Sequence, residues 1–191
     1  MALKALLAGK PVVLPTDTVY GLCSLPQEGA VGRLRRLKGT PAEQPISLLF
    51  GDLDGLLDRA PWLQGRPELV LLPGPFTLVF PNPQRSFSWL TGSRADTLGV
   101  RVPELRGEAF AAVVEVGGVA ATSANLHDGP DPRRLEDVPE AIRAAAGALL
   151  DGGKLPGTPS TVIDFSGAEP RVLREGAVSS EEAIRRVRKA D

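Results

Sequence analysis

An α/β fold with a mixed sheet is what this sequence predicts, and three observations carry the prediction. Short apolar runs of strand type alternate with segments of helical period along the whole length. No long linker, internal repeat or low-complexity tract divides the chain, so residues 1–191 are expected to form one domain. Several of the strand-type runs pass directly from apolar residues into Thr, Ser, Asn or Arg. Such endings place hydrogen-bonding groups at the rim of a sheet, where open α/β sheets bind small ligands.

Taken in order, Leu3 to Ala8 reads as a short helix closed by Gly9. Val12-Val13-Leu14 is a buried-strand signal, and Pro15, with no N–H to donate, is expected to end regular pairing. Thr16, Asp17 and Thr18 follow before the chain turns apolar again at Val19 and Tyr20. Gly29 to Lys38 is helical by period, with Ala30, Val31, Leu34 and Leu37 on one face and a basic run at its C-terminal end, where cations offset the helix dipole. Ile46 to Phe50 reads as a strand; Leu53 to Leu57 and Glu68 to Leu72 read as short helices. After the hard stop Pro73-Gly74-Pro75, strands are expected over Phe76–Phe80 and Thr97–Val102. Leu105 to Val116 is a helix closed by Gly117-Gly118, and Val119 to Asn125 is a strand that turns polar at its end. A loop from Leu126 to Pro132 precedes a helix over Val138–Ala146. Thr161–Phe165 and Arg171–Arg174 read as strands around a Ser-Gly turn. Ser179-Ser-Glu-Glu182 is a capping box opening a last helix that packs Ala183, Ile184 and Val187 inward.

Composition narrows the function. A net charge of −1 argues against wholesale electrostatic binding of nucleic acid while leaving room for a local basic groove. A single cysteine, Cys23, excludes a disulfide framework and a Cys-based zinc knuckle, which makes the cytoplasm the expected compartment. The N-terminal apolar run is too short for a signal peptide or a membrane span. There is no G-x-x-x-x-G-K-[ST], no G-x-G-x-x-G and no G-x-S-x-G. The one histidine, His127, lies in a polar loop and reads as a surface residue, leaving a Ser-His-Asp triad without its base. Catalysis in such a chain rests on positioning and electrostatics rather than on a covalent nucleophile.

Three clusters fit that requirement. Arg101 ends one strand, Ser123 and Asn125 end another, and Pro159-Ser160-Thr161 leads into a strand whose neighbour ends at Arg174. With Thr18 and Lys38 they provide three cations and several neutral donors and acceptors, a set suited to a polyanionic ligand beside a small polar one.

The same segments resemble the YrdC-like family of threonylcarbamoyl-AMP synthases. The matching pieces are Pro15 to Leu22, Leu37-Lys-Gly39, Pro73-Gly-Pro75 with Thr77, Gly99 to Pro103, Thr122 to Asn125, Pro159 to Asp164, and Leu173 to Gly176. They fall in the family's order and cover nearly the whole chain. The resemblance implies a twisted sheet with flanking helices and a concave, positively charged ligand face. It implies a reaction joining L-threonine, bicarbonate and ATP, with its Mg²⁺, into threonylcarbamoyl-AMP and pyrophosphate. The product would serve the threonylcarbamoyl modification of the tRNA adenosine beside the anticodon, through partner proteins that use the adenylate. Some members carry a further C-terminal domain, and this chain resembles the short form. By resemblance, Thr18, Arg101, Ser160 and the backbone near Ala121 would hold threonine. Lys38, Gln44, Thr97, Ser123, Asn125, Asp131 and Arg174 would hold ATP, with Lys38 and Arg174 stabilising the charge that grows on the phosphoryl oxygens.

Three departures stand out. The family's Lys-x-Arg is Lys38-Gly39-Thr40 here, so one phosphate-facing cation is missing. A histidine that many members carry after the next strand corresponds to Leu49, and Ser-Ala-Asn-x-Ser-Gly becomes Ser-Ala-Asn-Leu-His-Asp-Gly. Arg33, Arg35 and Arg36 are candidates to replace the lost cation. These departures keep a second class open, an RNA- or nucleotide-binding module without synthase activity, favoured by the basic run at Arg33–Lys38. A carbamoyl-transfer domain of hydrogenase maturation is disfavoured, since such chains are longer and cysteine-rich. Replacing His127 with Ala is expected to matter little in a synthase and to be fatal in a hydrolase.

Overall fold

Pro15 ends the first strand as its last paired residue. In the computed structural model, which describes residues 1–190, β1 (Val12–Pro15) and β2 (Tyr20–Ser24) form an antiparallel hairpin running from Val12↔Cys23 to Pro15↔Tyr20. The Thr16–Val19 turn closes on itself. The Thr16 hydroxyl donates to the Val19 carbonyl at 2.7 Å and accepts from the Thr18 and Val19 amides. The other strands are β3 (Ser47–Leu49), β4 (Phe76–Pro81), β5 (Thr97–Arg101), β6 (Val119–Ser123), β7 (Ala148–Leu149), β8 (Thr161–Asp164) and β9 (Arg171–Arg174). Together they make one open mixed sheet in the order β7-β1-β2-β6-β3-β5-β4-β8-β9. β1–β7, β3–β5 and β4–β8 are parallel pairs, and the remaining pairs are antiparallel.

Two of these strands escaped the sequence reading. β2, Tyr20-Gly-Leu-Cys-Ser24, is interrupted by Gly21 and ends in a serine, so no apolar run announces it. β7 is only two residues long. The segment expected as a helix over Glu68–Leu72 is a 3-10 turn, Pro67–Leu71. The α-helices are α1 (Ala2–Leu7), α2 (Glu28–Lys38), α3 (Leu53–Arg59), α4 (Gly107–Glu115), α5 (Glu140–Ala145) and α6 (Ser180–Arg188). Half of the capping box on α6 forms: the Glu182 amide donates to the Ser179 hydroxyl at 3.3 Å, while the Glu182 carboxylate pairs with Arg185 instead. On α6 only Ala183 is fully buried among the three residues expected to pack inward.

The two faces of the sheet are used differently. One face presents Val13, Leu22, Leu48, Leu78, Val100, Ala120 and Ile163 to the main core, where α2, α5 and α6 contribute Val31, Leu34, Ile142 and Ala183. On the other face, α1 and α4 cover only the part beneath Val12, Leu14, Cys23, Val119 and Ala148, burying it with Leu6 and Val113. The rest of that second face is left for a cavity. The connector of residues 150–160 runs from β7, at one edge, to β8, beside the other. On its way it is tied to the first hairpin: the Tyr20 hydroxyl donates to Gly153 O at 2.8 Å, and the Gly157 amide donates to Thr18 O at 2.9 Å.

Candidate active site

Strand register assembles the cavity. Gly21 sits opposite Ser123, Ser47 opposite Ala121, Leu49 opposite Arg101, Thr77 opposite Val162, and Val162 opposite Arg174. Paired residues share a face, so one continuous surface is built from strands far apart in the chain. It lines a cavity of about 430 Å³. Gly21, Gly99 and Ala121 belong to this lining, and their small size leaves the room. A larger hollow of about 640 Å³ beside the start of α4 shares only Thr16 with it. That hollow sets a single cation, Arg106, against Asp17, Glu104, Glu108 and Asp151, the wrong balance for a polyanion.

One half of the cavity is built on strand ends. Arg101 projects from the end of β5 and donates to Asp17 Oδ1 at 2.9 Å and to the Thr18 hydroxyl at 3.2 Å. Its Nε is buried without a partner. Burial raises the pKa of the Asp17 carboxyl and lowers that of the Arg101 guanidinium, each effect opposed by the other's charge. Across the cavity Ser160, 2% exposed, shares a hydroxyl contact of 2.8 Å with Thr77. Arg174 folds back from β9 and donates to Ser160 O through Nε at 3.1 Å and Nη2 at 2.9 Å, and to Ser160 Oγ at 3.1 Å. That approach depends on Gly176, where a Cβ would stand 2.4 Å from the Pro159 and Ser160 backbone. No carboxylate lies within 4.0 Å of Arg174 among the described residues, so its charge is available to a ligand.

The other half is built on the end of α2 and the loop after β6. Gly39, at φ 74°, stops α2 in a left-handed turn that favours glycine. Lys38, the last helical residue, is thereby turned inward and is 5% exposed. Its ammonium donates to Ser123 O at 2.9 Å, to Asn125 O at 2.8 Å and to Asn125 Oδ1. Burial pulls the Lys38 pKa down to about 8, with Asp131 and Asp128 pulling the other way. Ser123 Oγ donates to Asn125 Oδ1 at 2.7 Å, and the Asn125 amide group donates to Gly129 O. Gln44 stands exposed on the rim, and Asp131 faces both Lys38 and Arg174 across the opening.

Of the residues expected at a site, Lys38, Gln44, Arg101, Ala121, Ser123, Asn125, Asp131, Ser160 and Arg174 converge on this cavity. Two do not line it. Thr18 is fully buried behind Thr16, whose hydroxyl lies 3.0 Å from its own; Thr16 forms the wall. Thr97 lies at the far end of β5 from Arg101 and donates to Arg94 O at 3.1 Å. The candidate replacements for the missing arginine are also elsewhere. Arg33 donates to Gly9 O at 3.1 Å, Arg35 staples Pro41 O and Gln44 O at 2.7 Å each, and Arg36 is outside the lining. Sequence reasoning missed Thr16, Thr77 and His127, all three on the wall. Strand parity through Val162 could have found Thr77, whereas nothing local marks His127. The described residues contain no cluster of three or more His, Cys, Asp or Glu placed to hold a metal. No helix among them is long and apolar enough to cross a membrane.

Known proteins share this fold. The chain is 35% identical over 187 residues to a protein of Mycobacterium tuberculosis named putative threonylcarbamoyl-AMP synthase, covering 94% of this chain and 84% of that one. It superposes on Pyrococcus abyssi Sua5, solved in complex with L-threonine, with a TM-score of 0.81 and 34% identity over 97% of this chain. It spans 56% of that longer protein. The fold is also that of Escherichia coli YciO, with a TM-score of 0.77 at 24% identity, covering 95% of this chain and 90% of that one. The model of the Sua5/YciO/YrdC family, described as "Telomere recombination", matches residues 4–176, and the chain belongs to that family.

Proposed function

We propose that the chain is a threonylcarbamoyl-AMP synthase, condensing L-threonine, bicarbonate and ATP and releasing pyrophosphate. The observation that carries the reading is the similarity over 94% of the chain to a protein bearing that name. Its agreement with a fold solved around L-threonine adds to it.

The chemistry follows from the wall of the cavity. The threonine amine combines with CO₂ from bicarbonate to give a carbamate and release a proton. A carbamate oxygen then attacks the α-phosphorus of ATP, the α–β bridging P–O bond breaks, and pyrophosphate leaves. Arg101 and Ser160, on the same wall as Thr16, offer donors to a small amino acid's carboxylate and hydroxyl. Lys38 and Arg174 supply the positive charge that meets the phosphoryl oxygens as they gain charge. Magnesium enters with ATP as part of the substrate. Two carboxylates on the wall, Asp128 and Asp131, suit a cation that keeps most of its ligands from phosphate and water. The nucleotidyl transfer, the cytoplasmic setting and the delivery of the adenylate to proteins that modify tRNA belong to the same reading.

The test is pyrophosphate release by the purified chain with ATP, Mg²⁺, bicarbonate and L-threonine. Release that requires threonine, together with a threonylcarbamoyl-AMP peak on chromatography, is the expected result. Release that persists without threonine overturns the assignment.

A further inference from the structure

The cavity is short of donors for a triphosphate. Its wall carries three cations, Lys38, Arg101 and Arg174, and Arg101 is already paired with Asp17. It also carries the acids Asp128 and Asp131. Where the family resemblance sets an arginine, Thr40 is 9% exposed, and its hydroxyl is buried without a partner. Arg33 and Arg35 are held on backbone carbonyls outside the cavity.

One ionisable side chain on the wall is left without a role. The His127 amide donates to Lys38 O at 2.9 Å, which fastens this loop to the end of α2, two residues before Thr40. The loop is fixed from the other side as well. Gly129 N donates to Leu126 O at 2.9 Å, and Asp128 takes a left-handed φ of 59°. Asp is among the few non-glycine residues that adopt such a turn readily. The added residue in Leu126-His127-Asp128-Gly129 is thus accommodated in an ordered turn that leaves the imidazole on the cavity wall. The side chain is 34% exposed, and the nearest charge to it is Asp128 Oδ2, 3.6 Å from Nε2.

We infer that His127 is a nucleotide-contacting residue of this chain, its imidazole donating to the phosphate oxygens of ATP beside Lys38 on the cavity wall. The inference rests on the ATP-using synthase reading. It deepens that reading by adding to Lys38 and Arg174 a third donor, from the loop after β6. It also reverses the expectation that His127 can be replaced without consequence.

Calorimetric titration of the purified chain with MgATP, adenosine and L-threonine separates the outcomes. His127→Ala is expected to weaken MgATP binding about tenfold, the scale of one lost hydrogen bond to a charged group. Adenosine and threonine binding should stay within about twofold, inside the usual scatter for a contact not made. His127→Arg should keep most of the affinity. Unchanged MgATP affinity in His127→Ala overturns the inference, and so does an equal loss for MgATP and adenosine. Should His127→Ala fail to fold, His127→Gln, which keeps an N–H donor, must retain selective MgATP binding, and loss of it overturns the inference. The two readings fail separately. If the wild-type chain binds MgATP through His127 but releases no pyrophosphate with threonine, only the synthase assignment falls.

Discussion

The two halves of the cavity are held by different means. At the strand ends, Arg101, Asp17, Thr18, Ser160, Thr77 and Arg174 are joined side chain to side chain or back to the backbone, on elements locked by sheet register. At the loop side, Lys38 is caged by backbone and amide oxygens of a single turn. Gln44, His127 and Asp128 are exposed residues on the rim and wall. The first half is finished before any ligand arrives and doubles as structure. The second consists of groups whose placement matters mainly to what they bind.

That contrast is sharpest in stability. Removing one member of a buried ion pair strands the other, at about 3–5 kcal/mol. The Arg101–Asp17 side chains are only 12% and 11% exposed. Arg101→Ala should therefore unfold in urea with a loss of that size, whereas Asp131→Asn should stay within about 0.5 kcal/mol of wild type. Equal losses would erase the distinction between the halves. Activity should show the reverse weighting. Lys38→Met should lower threonine-dependent pyrophosphate release by about 10²–10³-fold, the usual effect of losing one donor to developing charge. A stopped assay at saturating substrates measures it.

A smaller effect probes the seam on the strand-end side. A methyl group at Gly176 would press on the Pro159–Thr161 backbone. Gly176→Ala should destabilise by about 1–3 kcal/mol through overpacking. It should also reduce turnover by moving Arg174 off Ser160. A further effect is that of pH. The fold lowers the Lys38 pKa from 10.5 to about 8. The free protein thus binds fewer protons than the unfolded chain between these values, and its stability should rise with pH across that window. Affinity for ATP should move the other way, weakening as pH climbs through about 8 and the ammonium is lost. KM for ATP measured from pH 7 to 9, against a flatter profile for Lys38→Arg, checks the sign.

The same division governs what the sequence reveals. Arg101, Ser123, Asn125 and Arg174 could be read from the letters because each follows an apolar run, and Ser160 because it leads into one; a polar group at a strand end has the sheet rim as its outlet. Thr16 and Thr18 could not be told apart, since the turn between β1 and β2 decides which hydroxyl faces outward. Thr97 shows the limit of parity: it shares a face with Arg101 but sits at the other end of the same strand. His127 was invisible for a different reason. Its position depends on a backbone bond to Lys38, a partner remote in sequence that no periodicity encodes. The fold followed the same rule. Periodic helices and strands written as apolar runs were legible, while β2, broken by Gly21, and the two-residue β7 were not.

The segment between β7 and β8 has a mechanical consequence. These strands are consecutive in the chain yet seven places apart in the sheet. Seven inter-strand steps of about 4.8 Å make an arc of about 34 Å. Twelve peptide steps from Leu149 to Thr161 stretch to about 40 Å at most. The connector can cross the sheet only as a largely extended strap. Its anchorage on Tyr20 and Thr18 fastens that strap to the hairpin that carries Thr16. Lengthening it by a few residues would loosen the fastening without replacing a single residue on the cavity wall.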